Sequence, residues 1–225
     1  NPDAPDSPAI RFNPDPRFIE TTQAEHQRLL ELARTQRLEA EEQNIFKAGH
    51  INYIINAIQM LYPLNRHDDA RALMDYVNQQ YKPEDESWKW DLQEFVVKQL
   101  NADGDPIRSV AISQIMPAIE TSWLLRLQGQ EAQAKSMMQH GLRVFNLYQQ
   151  KAVERNKLQP MELIQADVTS SLLVMPRVRE FNLPLLDRAR LYRLLPDWLR
   201  LMVYDGVTPL LMRQCEAQNE PFAEL

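Results

Sequence analysis

Apolar residues recur along this chain at three- and four-residue steps, the spacing of helices with one buried face. Ile54, Ile55, Ile58, Leu61 and Tyr62 keep that step, and beyond the turn-forming stretch 65–69 the set Ala70, Leu73, Met74, Val77 and Tyr81 resumes it until Pro83. Two helices joined by so few residues pack antiparallel as a helical hairpin. Upstream, residues 21–42 are rich in Gln, Glu, Arg, Leu and Ala, with Leu29, Leu30, Ala33 and Leu38 as a narrow apolar stripe, and predict one long solvated helix.

Downstream, "SWKWDLQEFVVKQL" predicts a helix begun at Ser87 with Leu92, Phe95, Val96 and Leu100 on one face. "NADGDP" ends it and restarts the chain with Asp105 as cap and Pro106 in the first turn. The new helix runs past Pro117, which should kink it, to Leu127, and after "QGQ" another carries Ala134, Met137, Met138, Gly141, Phe145 and Tyr148. "QPMELIQADVTSSLLVMP" reads as a further helix, followed by short ones restarted at Pro184, Pro196 and Pro209. There Leu191, Leu194, Leu195, Trp198, Leu199 and Met202 form a strong apolar face, either an end cap over the last hairpin or a patch for a partner.

The first 18 residues stand apart. Their prolines fix φ and push the preceding residues to extended geometry, so 1–18 predicts an extended arm. It is either a tether or a strap that packs back through Ile10 and Phe12. No segment alternates with period two long enough to build a sheet. The expected fold is all-α: one elongated domain over 19–225 made of antiparallel helical hairpins, with 183–225 as C-terminal capping helices.

Laid on itself with a shift of 64 residues, the chain sets "LNRHDDARALMDYV" over "QGQEAQAKSMMQHG", matching Ala70 with Ala134, Leu73 with Met137 and Met74 with Met138. "LNRHDDA…YKP" resembles the second helix of a tetratricopeptide repeat, in which a tight turn and acidic residues precede a small residue and a Pro follows the helix. "QGQEAQA" is similar to the same turn, with Gly129 present. Ala70, Ala134 and Gly141 carry little or no side chain and can sit where facing helices nearly touch. The resemblance covers two degenerate units, roughly 51–83 and 115–148. Ile58 and Ser122 stand where that family prefers Gly or Ala, and 84–100 does not match a repeat. A divergent repeat array and a non-repeating helical domain are both open on these residues. A fainter likeness, in "FKAGHINYIINAIQMLYPLNRHDDARALMDYV" with "LQEFVVKQL", is to the soluble C-terminal part of large uncharacterised bacterial membrane proteins, which implies a membrane-associated parent.

Composition narrows the function classes. A net charge of -6 opposes phosphate binding, so nucleic acid is not the expected partner. No apolar run approaches the roughly 20 residues that cross a bilayer, so no membrane insertion by these residues is expected. The single Cys215 excludes an intrachain disulfide and a multi-Cys metal cage, and leaves localisation open. The chain opens with Asn1 rather than Met, which suggests a processed chain or an excised piece of a longer one.

Candidate chemistry is sparse. There is no Gly-rich phosphate loop, no His-Glu-x-x-His pair, no Ser elbow and no calcium loop, so no cofactor, metal or catalytic role is expected. "RHDDA" offers His67, Asp68 and Asp69, whose side chains diverge at a helix start and are better explained by capping. His26 reads as part of a solvated helix face, His50 as a helix entry, and His140 as a partly buried neighbour of Gly141. Glu120 beside Trp123 could form a desolvated acid, a common arrangement in helical cores. Of Trp88 and Trp90, a packing anchor at a helix start and an exposed hot spot are the two readings.

The tetratricopeptide resemblance implies that the first helix of each hairpin lines a concave groove. The groove-facing residues would be Asn52, Asn56 and Gln59 in one hairpin and Glu120, Trp123 and Arg126 in the other, unless these are merely the solvated sides of two helices. Asn and Gln suit a peptide backbone; Trp and Arg are common interface anchors. The expected function is a non-catalytic protein–protein interaction or scaffolding module of a larger bacterial protein, with a protein or peptide partner. The alternative is an all-helical enzyme or regulatory domain with a small ligand between hairpins.

Overall fold

The computed structural model describes residues 16–36, 39–99, 108–174 and 183–217. Among the described residues there are nine α-helices and no strand: α1 (Ile19–Thr35), α2 (Ala40–Leu61), α3 (His67–Gln80), α4 (Leu92–Gln99), α5 (Arg108–Leu127), α6 (Glu131–Lys151), α7 (Met161–Val174), α8 (Leu185–Leu194) and α9 (Asp197–Ala217). The all-α expectation holds. Most of the arm, with Ile10 and Phe12, lies outside the described residues, as do "NADGDP", Leu38 and Leu100. Residues Pro16–Phe18 form a 3-10 turn at the entry to α1.

Three boundaries differ from the sequence reading. The helix expected over 21–42 ends at Thr35, and α2 starts at Ala40. The cause is a local cap: the Glu39 side chain takes a hydrogen bond from the first turn, while Glu42 Oε2 accepts the Glu39 N–H at 3.2 Å. Ser87 lies inside a 3-10 turn (Glu86–Lys89), because Asp85 accepts the Ser87 N–H at 2.9 Å and begins the turn earlier. Pro209 restarts nothing; it sits within α9.

The chain divides into two compact units, where the sequence reading took 19–225 as one domain. The first unit holds the described residues up to Tyr62 together with Arg66–Leu92. In it α2 packs between α1 and α3. The α2–α3 contact is the firm one: α3 buries Ala70, Leu73, Met74 and Val77 at the expected steps, and α2 buries Ile54, Ala57, Ile58 and Leu61. The Glu86–Lys89 turn packs on α3, with Trp88 buried and its carbonyl accepting from Asn78 Nδ2 at 2.8 Å. Trp88 is thus the packing anchor and Trp90 is exposed.

The second unit takes Pro63–Asn65 and the described residues from Gln93 onward. Its core runs through Ile115, Ile119, Trp123, Tyr148, Leu172, Leu191 and Leu199. Helix α5 is its centre, packed against α6, α7 and α8. The α5–α6 approach is close because Gly141 faces α5: a Cβ there would meet Ala118 Cβ at 3.4 Å and the Ile115 carbonyl oxygen at 3.6 Å. The connection after α6 is tied down by Gln149, whose amide accepts from the Leu158 N–H (3.1 Å) and donates to its carbonyl (3.0 Å).

The expected C-terminal apolar face is split. Leu191, Leu195 and Leu199 enter the core, while Leu194, Trp198 and Met202 stay exposed beside Leu201, 77% exposed. The four-residue step Leu199, Val203, Val207, Leu211, Cys215 is the buried stripe of α9.

The two connections α2–α3 and α5–α6 share one backbone form. Asn65 (φ 59) and Gly129 (φ 74) take the left-handed conformation that ends a helix. The next N–H, of Arg66 and of Gln130, donates back to the carbonyls of Leu61 (3.1 Å) and Leu125 (2.9 Å). The carbonyls of Arg66 and Gln130 then accept from Ala70 (3.1 Å) and Ala134 (2.9 Å), opening the next helix. Each equivalent pair stands 64 positions apart in the sequence.

Candidate functional site

Helix α2 turns a polar strip outward. Asn52 and Asn56, one helical turn apart, are exposed, and Gln59 is half-buried. Helix α5 behaves differently. Glu120 and Trp123 are buried, 6% and 2% exposed, and Arg126 is half-buried. Trp123 belongs to the core of the second unit, and its buried indole N–H finds no acceptor. The Arg126 guanidinium lies over the Trp123 ring, 5.0 Å from its centroid, and pairs with Glu131 at 3.3 Å. Trp123 therefore has almost no surface to offer a partner directly, and Arg126 is the accessible group of that trio. The six residues fall into different compact units, Asn52, Asn56 and Gln59 in the first and Glu120, Trp123 and Arg126 in the second.

The first unit holds a second cluster that periodicity does not reveal. His50 of α2 is fully buried, and His26 of α1 stacks on it with ring centroids 4.8 Å apart and planes 9° from parallel. The Tyr81 hydroxyl lies 2.5 Å from His50 Nδ1, with Tyr76 and Tyr81 rings both 5.7 Å away. Tyr53 sits 5.2 Å from His26. Lys47 donates to the Tyr81 carbonyl at 3.5 Å and stands over its ring. His50 Nε2 is buried without a partner.

Burial, and then the facing His26, hold the His50 pKa down to about 4. Burial and the Tyr76 hydroxyl push the Tyr81 phenol well above its ordinary range. At neutral pH the Tyr81–His50 pair is therefore two uncharged groups joined by one hydrogen bond. Tyr81 is thus held from becoming a phenolate, and His50 from becoming an imidazolium, near pH 7.

The remaining candidates are absorbed by local structure. Asp69 pairs with Arg66 at 2.6 Å and His67 stacks on Tyr62 at 4.6 Å, so the His67 and Asp69 side chains engage different groups. Burial lowers the His67 pKa. His140 is fully buried, more so than its expected place beside Gly141 implied, with Nε2 3.4 Å from Gln114 Oε1. Cys215 is buried in α9. Among the described residues no group of three or more His, Cys, Asp or Glu gathers to hold a metal ion, and no helix is long and apolar enough to cross a membrane.

What sequence reasoning missed is the pairing of His26 with His50 and of His50 with Tyr81. Each partner lies on a different element, 24 and 31 positions away, and no motif links them. The only local signal was His50 with Tyr53 three residues on, one face of α2. No protein-family model, no curated protein and no solved structure matches this chain.

Proposed function

We propose that the chain is a non-catalytic scaffolding module of tetratricopeptide-like helical hairpins, belonging to a larger bacterial protein, that holds a protein or peptide partner. The observation that carries the reading is the pair of connections at Asn65 and Gly129. Left-handed residue, back-donating N–H and following helix start recur with the same geometry and the same sequence offset. A repeated element of this kind supports an internally duplicated hairpin better than an arbitrary helical domain does. The buried Ala70, Ala134 and Gly141, at the helix contacts where small residues were expected, support it further.

By the resemblance, α2 and α5 are the partner-facing first helices. Asn52 and Asn56 of α2 offer exposed amides that can donate to and accept from an extended backbone. On α5 Arg126 is the contact residue, with Trp123 fixing its guanidinium from below. Gln59 and Glu120 contribute at the margins, because both have little exposed surface.

A random-peptide display library panned against the chain tests this. Enriched peptides should lose about tenfold or more in affinity, about 1.4 kcal/mol, on Asn52→Arg with Asn56→Arg at unchanged melting temperature. Peptides insensitive to those changes and to Arg126→Ala would remove these helices from the reading. No enriched peptide, together with stabilisation by a small metabolite, would favour the ligand-binding alternative.

A further inference from the structure

We propose that α1 is a pH-gated helix, held on α2 by the stack of His26 on His50 and released when acid introduces charge into that stack. The packing makes α1 the weakly held element of its unit. Over its 17 residues only Ile19 and Ala33 are buried, while Leu29 and Leu32 remain exposed. Its 14-residue neighbour α3 buries four apolar side chains against α2. What α1 adds is polar and aromatic: His26 over His50, His26 against Tyr53, and the Tyr53 hydroxyl donating to the Ile19 carbonyl at 3.4 Å. Elements with so few buried apolar contacts open locally at far lower cost than the whole fold.

The surroundings of His50 make the stack acid-sensitive. The groups facing it are His26 from α1, Tyr76 from α3 and Tyr81 from the stretch after α3. Lys47 and Tyr53 of α2 and Arg34 of α1 complete the cluster, the two cations acting at Tyr81. These are imidazoles, phenols and cations, with no carboxylate to pair with an imidazolium. Buried Nε2 has no acceptor for the added proton's charge either. In the docked state His50 resists protonation down to about pH 4, whereas once α1 lifts, the ring meets water and returns toward its ordinary value of 6.5. The sign follows by linkage. The docked form has the lower pKa, so docking is fully favoured above about pH 6.5 and weakens as pH falls from there toward 4. A full return to 6.5 sets the upper limit, a roughly thirtyfold rise in the open-to-docked ratio at pH 5 relative to pH 7.5.

Spin labels on cysteines at Gln27 and Gln79, both exposed, in a Cys215→Ala background report the α1–α3 distance in the full chain. The expected result is one narrow distance at pH 7.5 and a second, longer and broader population at pH 5, with circular dichroism showing most of the helix retained. His50→Phe and His50→Gln remove the titrating imidazole, the first keeping a ring for His26 to stack on and the second an acceptor for the Tyr81 hydroxyl, and at least one should hold the narrow distance at both pH values. Three results overturn the proposal: an unchanged narrow distance in the parent at pH 5, a pH response in both His50 variants equal to the parent's, or loss of helix throughout the chain at pH 5. If both variants are undocked already at pH 7.5, the parent's distance and helix content at the two pH values decide alone.

Discussion

The guanidinium of Arg126 rests 5.0 Å above the ring of Trp123, and that ring is the floor of the contact, 2% exposed, within the core of the second unit. Removing the floor is a core truncation. Trp123→Ala should destabilise the second unit by about 3–5 kcal/mol, the cost of deleting a large buried aromatic. Chemical denaturation followed by circular dichroism measures it. A change below about 1 kcal/mol would show that the ring is not buried as described.

Gly141 gives a prediction with two signs. An alanine Cβ would make an ordinary contact with Ala118 at 3.4 Å, and alanine favours helix over glycine by about 1 kcal/mol, so Gly141→Ala should be neutral to stabilising. Gly141→Val adds bulk against Ile115 and Ile119 that cannot move aside, and should cost about 1–3 kcal/mol. Thermal melts of the two variants on opposite sides of the parent would establish the close α5–α6 approach.

The left-handed connections should respond in parallel. Gly129→Ala forces a Cβ into positive φ and should cost about 1–2 kcal/mol. Asn65→Ala should be milder in the same direction and Asn65→Gly neutral to slightly stabilising, since asparagine tolerates this conformation better than alanine and less well than glycine. Equal melting temperatures for Gly129→Ala and the parent would contradict the turn geometry.

Arg188 is buried, and its Nη1 donates to the Leu173 carbonyl (3.1 Å) and to Gln214 Oε1 (2.6 Å), so one cation joins the end of α7 to α8 and α9. A positive charge at a helix C-terminus complements the helix dipole. Arg188→Ala should cost about 2–3 kcal/mol through lost charge-assisted bonds, and Arg188→Met less, because its stem still fills the space. Urea unfolding of both variants checks the order; a methionine variant as unstable as the alanine one would mean packing contributes little there.

Helix identity was legible because it depends on neighbours in sequence. The steps through Ile54, Ile58 and Leu61, and through Ala70, Leu73, Met74 and Val77, predicted α2 and α3 and their inward faces. The small residues and turn formers were equally readable, since a left-handed residue or a close approach restricts which side chains fit. Where the reading failed, a local alternative competed. The Glu39–Glu42 cap ended a helix that composition alone would continue, and Pro209 was accommodated within α9.

The sequence by itself determined that the chain is helical, where most helices lie, and that two turns are built alike. Only the tertiary structure decided which polar residues are surface. Asn56 and Glu120 occupy equivalent positions 64 residues apart, on helices with similar patterns, yet the first is exposed and the second buried. The difference is that α5 is covered by α6, α7 and α8, whereas among the described residues the helices packed on α2 within its unit are α1 and α3, with the short Pro16–Phe18 turn. The same reason hid the histidine cluster. Periodicity orients a side chain about its own helix axis, but whether His26 meets water or the ring of His50 depends on where α1 comes to rest, which no spacing along a single helix encodes.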